Sequence, residues 1–125
     1  MRVWISQDAA ARAVGADRIA DAVAAEAARR GVPLTLTRTG SRGMVWLEPL
    51  VEVEIAGRRH AFGPLSPGDV PALFDGGAAC ALGPTEDLPW MRGQMRMTFA
   101  RVGLTDPLSL ADYAAHGGWA GLAAA

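Results

Sequence analysis

The chain has one cysteine, two histidines, no lysine and no asparagine in 125 residues. Each shortage excludes a class of chemistry. A single thiol offers no disulfide framework. It also rules out thioredoxin-type redox work, which needs a low-pKa cysteine with a second one beside it. An iron–sulfur cluster takes four thiolates, or two with two imidazoles, so these side chains cannot build one alone. No apolar run approaches the ~18 residues of a membrane-spanning helix, so no membrane partner is expected. The net charge is −1 with both signs intermixed, and no basic stripe marks a nucleic-acid surface. Met1-Arg2-Val3-Trp4-Ile5 runs directly into a strand-like stretch without the apolar core of a signal peptide, so the expected location is cytoplasmic.

What remains is a small chain rich in alanine. At 13.1 kDa it has the size of one domain, able to bury roughly two-thirds of its unfolded surface. Half of its residues are apolar, but alanine inflates that figure. The larger core formers come in short runs, which predicts a small core packed with small side chains. That every strong cation is arginine, beside so much alanine, matches a GC-rich coding bias and concerns the host more than the mechanism.

Arg2–Ser6 reads as a strand. Asp8 can cap a helical turn over 9–14 that Gly15 ends. Ile19, Val23 and Ala27 then recur at i, i+4 and i+8, and Arg29-Arg30-Gly31 closes a helix predicted over 17–30. Pro33–Thr37 alternates as a strand. Thr39–Gly43 reads as a turn, and Met44–Leu47 as a further strand broken by Pro49. Leu50–Ile55 alternates Val51, Val53 and Ile55 with Glu52 and Glu54, predicting one buried and one wet face. Ala56-Gly57-Arg58 turns into a strand at Arg59–Phe62. Ser66-Pro67-Gly68-Asp69 opens a helix to Phe74. Gly83–Pro89 reads as linker, Arg96–Val102 as a possible strand, and Thr105–Tyr113 as the start of a short helix. After the His116-Gly117-Gly118-Trp119 interruption, alanine-rich helix runs to Ala125.

The order β-α-β-turn-β-β-α matches an α/β sandwich of thioredoxin-like type with an extended C-terminal tail. Ser6-x4-Ala11 and the pair Ser41/Val45, followed by Pro49, stand where a thioredoxin-like ferredoxin carries Cys-x4-Cys and Cys-x-Gly-x-Cys-x-x-x-Pro. With Gly15-Ala16, Gly43 and the Glu52/Glu54 hairpin, residues 1–77 resemble the thioredoxin-like 2Fe-2S subunit of respiratory complex I and of NAD-reducing dehydrogenases. All four ligand positions lack sulfur, so the family's cluster is not carried over. Residues 92–122, within the segment 92–125, carry Phe99-Ala100-Arg101, Asp106-Pro107-Leu108-Ser109-Leu110, Asp112-Tyr113 and Gly117-Gly118-Trp119. These resemble the start of the flavoprotein module of NADH-oxidising subunits, with 78–91 as linker. The stretch from Gly40 to Glu54 resembles the beta (diaphorase) subunit of NAD-dependent formate dehydrogenases. For the parent subunit the resemblance implies FMN, NAD and a 4Fe-4S cluster, with none of them in this segment. It implies as partners the flavoprotein module of the same subunit, a thioredoxin-like 2Fe-2S subunit and the catalytic formate-oxidising subunit. It also suggests either a fragment of a longer subunit, the favoured reading, or a separate gene that encodes the front piece.

No residue is assigned a catalytic, cofactor-binding or metal-binding role. Gly40-Ser41-Arg42-Gly43 has the make-up of an anion-binding nest, but no helix N-terminus follows it, and a plain turn is the expected reading. His60 and His116 lack convergent acid or thiol partners and read as surface or packing residues. Cys80, in Gly76-Gly77-Ala78-Ala79-Cys80-Ala81, has no neighbouring cation to activate it and reads as an apolar filler. Trp4 and Trp46 are expected in the core. Trp90 and Trp119 lie in a tail too apolar to float free, and are expected at an interface. The expected function is structural docking within an NAD-linked oxidoreductase. A stand-alone adaptor or assembly factor is the alternative.

Overall fold

Val3 and Ile5 alternate with Arg2, Trp4 and Ser6 along β1 (Arg2–Ser6), so one side of this strand is fully apolar. In the computed structural model, which describes residues 1–77 and 80–125, that side faces helices. Asp8 accepts from Ala11 N at 2.9 Å and starts α1 (Ala9–Ala13). The helix α2 (Ala16–Arg30) runs between two left-handed glycines, Gly15 and Gly31, and Gly31 N–H closes its last turn. It buries Ile19, Val23 and Ala27 against the sheet, in register with the sequence pattern. This crossover returns the chain to β2 (Thr35–Thr39), parallel to β1.

A hairpin follows, β3 (Val51–Ile55) and β4 (Arg58–Phe62), then a Ser66/Asp69 capping box and α3 (Val70–Phe74). The chain continues through β5 (Ala81–Pro84), α4 (Pro89–Arg92), α5 (Leu110–Ala115) and α6 (Ala120–Ala123). The molecule is a mixed α/β fold whose five strands lie in the order β2-β1-β3-β4-β5, antiparallel except for β1 with β2. Its main core joins Val3, Ile5, Val51, Val53 and Phe62 to α1, α2 and α3. Each large apolar side chain buried there contributes about 1.5–3 kcal/mol. Among the described residues no helix is long and apolar enough to cross a membrane.

Five expectations are corrected. The strand expected at Pro33–Thr37 begins two residues later, where Thr35 N donates to Met1 O at 2.9 Å. The carbonyl of Pro33 instead takes the N-terminal ammonium. Met44–Leu47 is not a strand. Leu47 N bonds back to Met44 O, a tight turn that drives Met44 inward beside Leu50, Ala61 and Met91. Trp46 stands on that turn and is more than half exposed, whereas Trp4 is buried as expected. The expected 78–91 linker supplies β5, which pairs with β4. Its residues Ala78 and Ala79 lie outside the described residues. Arg96–Val102 forms successive turns, Ala100 N to Met97 O and Val102 N to Phe99 O, so its backbone pairs with itself rather than with a strand.

Candidate docking face

The alternation that sends Val51 and Val53 to the helices sends Glu52 to the opposite face of the sheet. A lone carboxylate there would be wet. Glu52 is instead among the most buried residues of the chain, contrary to the expected wet side. The cause is Arg42, which folds in from the loop after β2 and grips Glu52 with two bonds, Nε to Oε1 at 2.9 Å and Nη2 to Oε2 at 3.0 Å. Its third nitrogen, Nη1, donates to Glu86 at 3.0 Å. Arg59 from β4 approaches from the other side, with Nε 2.9 Å from Glu52 Oε2 but out of line for a hydrogen bond. Its Nη2 donates to Gly103 O at 2.7 Å, and its guanidinium lies 4.2 Å from the centre of the Trp4 ring.

The two arginines sharing Glu52 respond differently. Burial works against the charge on Arg42, but Glu52 and Glu86 together outweigh it and hold the guanidinium above its ordinary value. Burial dominates at Arg59 and pulls it down to about 10, still charged at neutral pH. The well-aligned double bond explains why Arg42 fares better. Nearby, Glu48 is buried with one oxygen accepting from Leu50 N at 2.8 Å. Burial raises its carboxyl above the usual range, with Asp8 and Glu52 adding to the effect.

The tail closes over this face through polar and backbone contacts. Gln7 Nε2 donates to Asp106 Oδ1 at 2.9 Å, and Asp106 N donates to Asp112. Gly103 sits with φ +77° against the Arg42 side chain, where any Cβ would collide with it. Met91 alone among the tail's large apolar residues is well buried, within the cluster of Met44, Leu50 and Ala61. Leu88, Val102 and Leu104 are partly buried, and the other large apolar groups are exposed. Met95, Met97, Phe99 and Leu108 are 89, 80, 67 and 82% exposed, joined by Leu110, Trp119 and Leu122. Trp46 and Trp90 meet edge to face at 5.2 Å between centroids, each about half exposed.

Ser6 and Ser41 lie at one end of the sheet, Ser6 being opposite Thr39 in the β1/β2 register. Ser6 Oγ accepts from Asp8 N and Ser41 Oγ from Gly43 N, so each hydroxyl closes a local turn. Ala11 is fully buried and Val45 is exposed. The Gly40–Gly43 segment does not offer Arg42 to an anion, since that guanidinium is engaged with Glu52 and Glu86. His60 is half-buried in β4, and His116 ends α5 with Nδ1 2.9 Å from Asp112 O. Cys80 packs against the main core, and burial pushes its thiol up. Among the described residues no three His, Cys, Asp or Glu side chains gather as metal ligands. No family model and no curated protein matches the chain.

Sequence reading missed the Arg42–Glu52–Arg59 network. The available signal was a glutamate inside a strand whose neighbouring segments both carry arginine. Helical and strand periodicities cannot see a loop arginine reaching across ten positions.

Proposed function

We propose that this chain is the front piece of the NADH-oxidising beta subunit of an NAD-dependent formate dehydrogenase, acting there as a docking and bracing domain of thioredoxin-like fold. The tail carries the reading. It attaches to the domain through Arg59, Gln7 and Met91 while turning Met95, Met97, Phe99, Leu108 and Leu122 outward. So many exposed large apolar side chains in one segment support an interaction site. The strand order β2-β1-β3-β4, with β1 and β2 parallel and the hairpin antiparallel, supports the thioredoxin-like part of the reading. The absence of sulfur at Ser6, Ala11, Ser41 and Val45 supports a bracing role rather than an electron-carrying one.

In this reading the parent complex is cytoplasmic. It oxidises formate and passes electrons through iron–sulfur clusters and FMN to NAD. The present residues hold the flavoprotein module of the same subunit against the thioredoxin-like 2Fe-2S subunit and the formate-oxidising subunit. Their contribution is geometric, keeping redox centres of neighbouring modules at fixed separation. Reading the coding sequence past Ala125 tests the proposal. An open frame running into a glycine-rich flavin and nucleotide module is expected, and an immediate stop with no such module in the genomic neighbourhood would overturn it. The purified 125-residue chain should also be colourless, and flavin or iron–sulfur bands bound to it would contradict the bracing role.

A further inference from the structure

Most guanidiniums of this chain meet a carboxylate, but Arg96 meets none among the described residues. Its Nη2 donates to Val102 O at 2.5 Å, while its Nε is buried without any partner. An orphaned, charged N–H is costly unless something arrives to accept from it. Arg96 lines an open cavity of about 280 Å³ together with Gln94, Phe99, Val102 and the Arg42-Gly43 turn. Arg42 is neutralised by Glu52 and Glu86, so Arg96 is the uncompensated charge there. The segment 91–105 contains three arginines and no acid, and Met95 and Met97 stand exposed along it. The cavity thus offers one cation without a carboxylate partner, set within apolar walls.

We propose that this cavity recognises a carboxylate side chain, an aspartate or glutamate flanked by apolar residues on a protein partner, which accepts from the accessible edge of the Arg96 guanidinium. Arginine in a partly desolvated pocket ringed by apolar groups is a favoured anchor of protein interfaces. Phe99 and the two methionines would pack on the residues either side of the acid. An anionic lipid surface fits less well. The segment is built of successive turns and lacks the amphipathic helix with which such surfaces are usually bound. The proposal rests on the docking reading for there being a partner, and adds that partner's chemistry.

The test uses the full chain and two blocked tripeptides, acetyl-Leu-Glu-Leu-amide and acetyl-Leu-Gln-Leu-amide, followed by the Arg96 Nε–H signal in nitrogen-15 NMR. The glutamate peptide should move that signal saturably and bind at least about tenfold more tightly than its glutamine twin, as a charge-assisted bond to guanidinium requires. With binding followed instead by the backbone amides of Gln94 and Phe99, which also line the cavity, Arg96→Gln should abolish the difference and Arg92→Gln should leave it in place. Equal response to both peptides, or none, would overturn the site. So would a response to phosphatidylserine vesicles with none to the glutamate peptide. Failure here with a flavin module found beyond Ala125 removes this site alone. A positive result without that module removes only the assignment to formate dehydrogenase.

Discussion

The two faces of the sheet are held by different physics. The face under α1, α2 and α3 is a dry apolar layer, Val3, Ile5 and Val51 meeting Ile19 and Val23. The opposite face is held by a buried arginine–glutamate–arginine cluster and by tail backbone, with only a small apolar cluster around Met44. The first face can be assembled from hydrophobic periodicity alone. The second depends on charge neutralisation, and its outermost layer presents apolar side chains to the surroundings. Met95, Met97 and Phe99 lie in that layer and take no part in either core cluster. Their outward placement leaves them outside the packing that stabilises this molecule.

Removing one member of the charge cluster should have the largest effect. Glu52→Gln leaves Arg42 and Arg59 buried without their shared counter-charge, an expected loss of about 3–5 kcal/mol in urea unfolding. Replacing all three by Leu and Met of similar volume should recover most of that loss, because a well-packed apolar cluster needs no neutralisation. On the helix-covered face, Ile19→Ala should cost about 2–4 kcal/mol by creating a cavity. If Ile19→Ala proved far more damaging than Glu52→Gln, the tail-covered face would be the weaker partner.

The effect of pH sharpens the same contrast. Because burial raises Glu48, the folded protein keeps that proton to higher pH than the unfolded chain. Its contribution is therefore complete below the ordinary glutamate value of 4.5 and is lost as pH rises through the folded one. Glu48→Gln, which keeps an oxygen for Leu50 N–H, should be more stable than the parent at neutral pH, with the difference vanishing under acid. A gap independent of pH would contradict this. The smallest effect is expected in the tail. Met97→Ser should change stability by no more than about 0.5 kcal/mol, as at any exposed position away from special contacts.

The helix-covered face was legible in the sequence because its residues repeat with the periods of helix and strand. Ile19, Val23 and Ala27 announce α2, and Val51 and Val53 announce the buried side of β3. The same alternation misled at Glu52, since a pattern of two reports which face a residue takes but not what covers that face. Loop contacts were hidden for the same reason. Met44 and Trp46 look alike as apolar residues in a short run, yet a single tight turn buries one and exposes the other. β5 was read as linker because Gly83 and Pro84 signal a break, and pairing with β4 overrode that local preference. Trp90 and Trp119 were read as interface material from composition alone, and both are about half exposed.

The most direct test of the outward tail as a binding surface is hydrogen exchange measured on this chain alone and again within the assembly proposed for it. The account predicts that amides across 95–110 and 119–122 exchange freely in the isolated chain and slow by more than about tenfold in the assembly, while those of β1 and β3 barely change. Equal exchange in the two settings, or a tail already as protected as the core strands when alone, would contradict it.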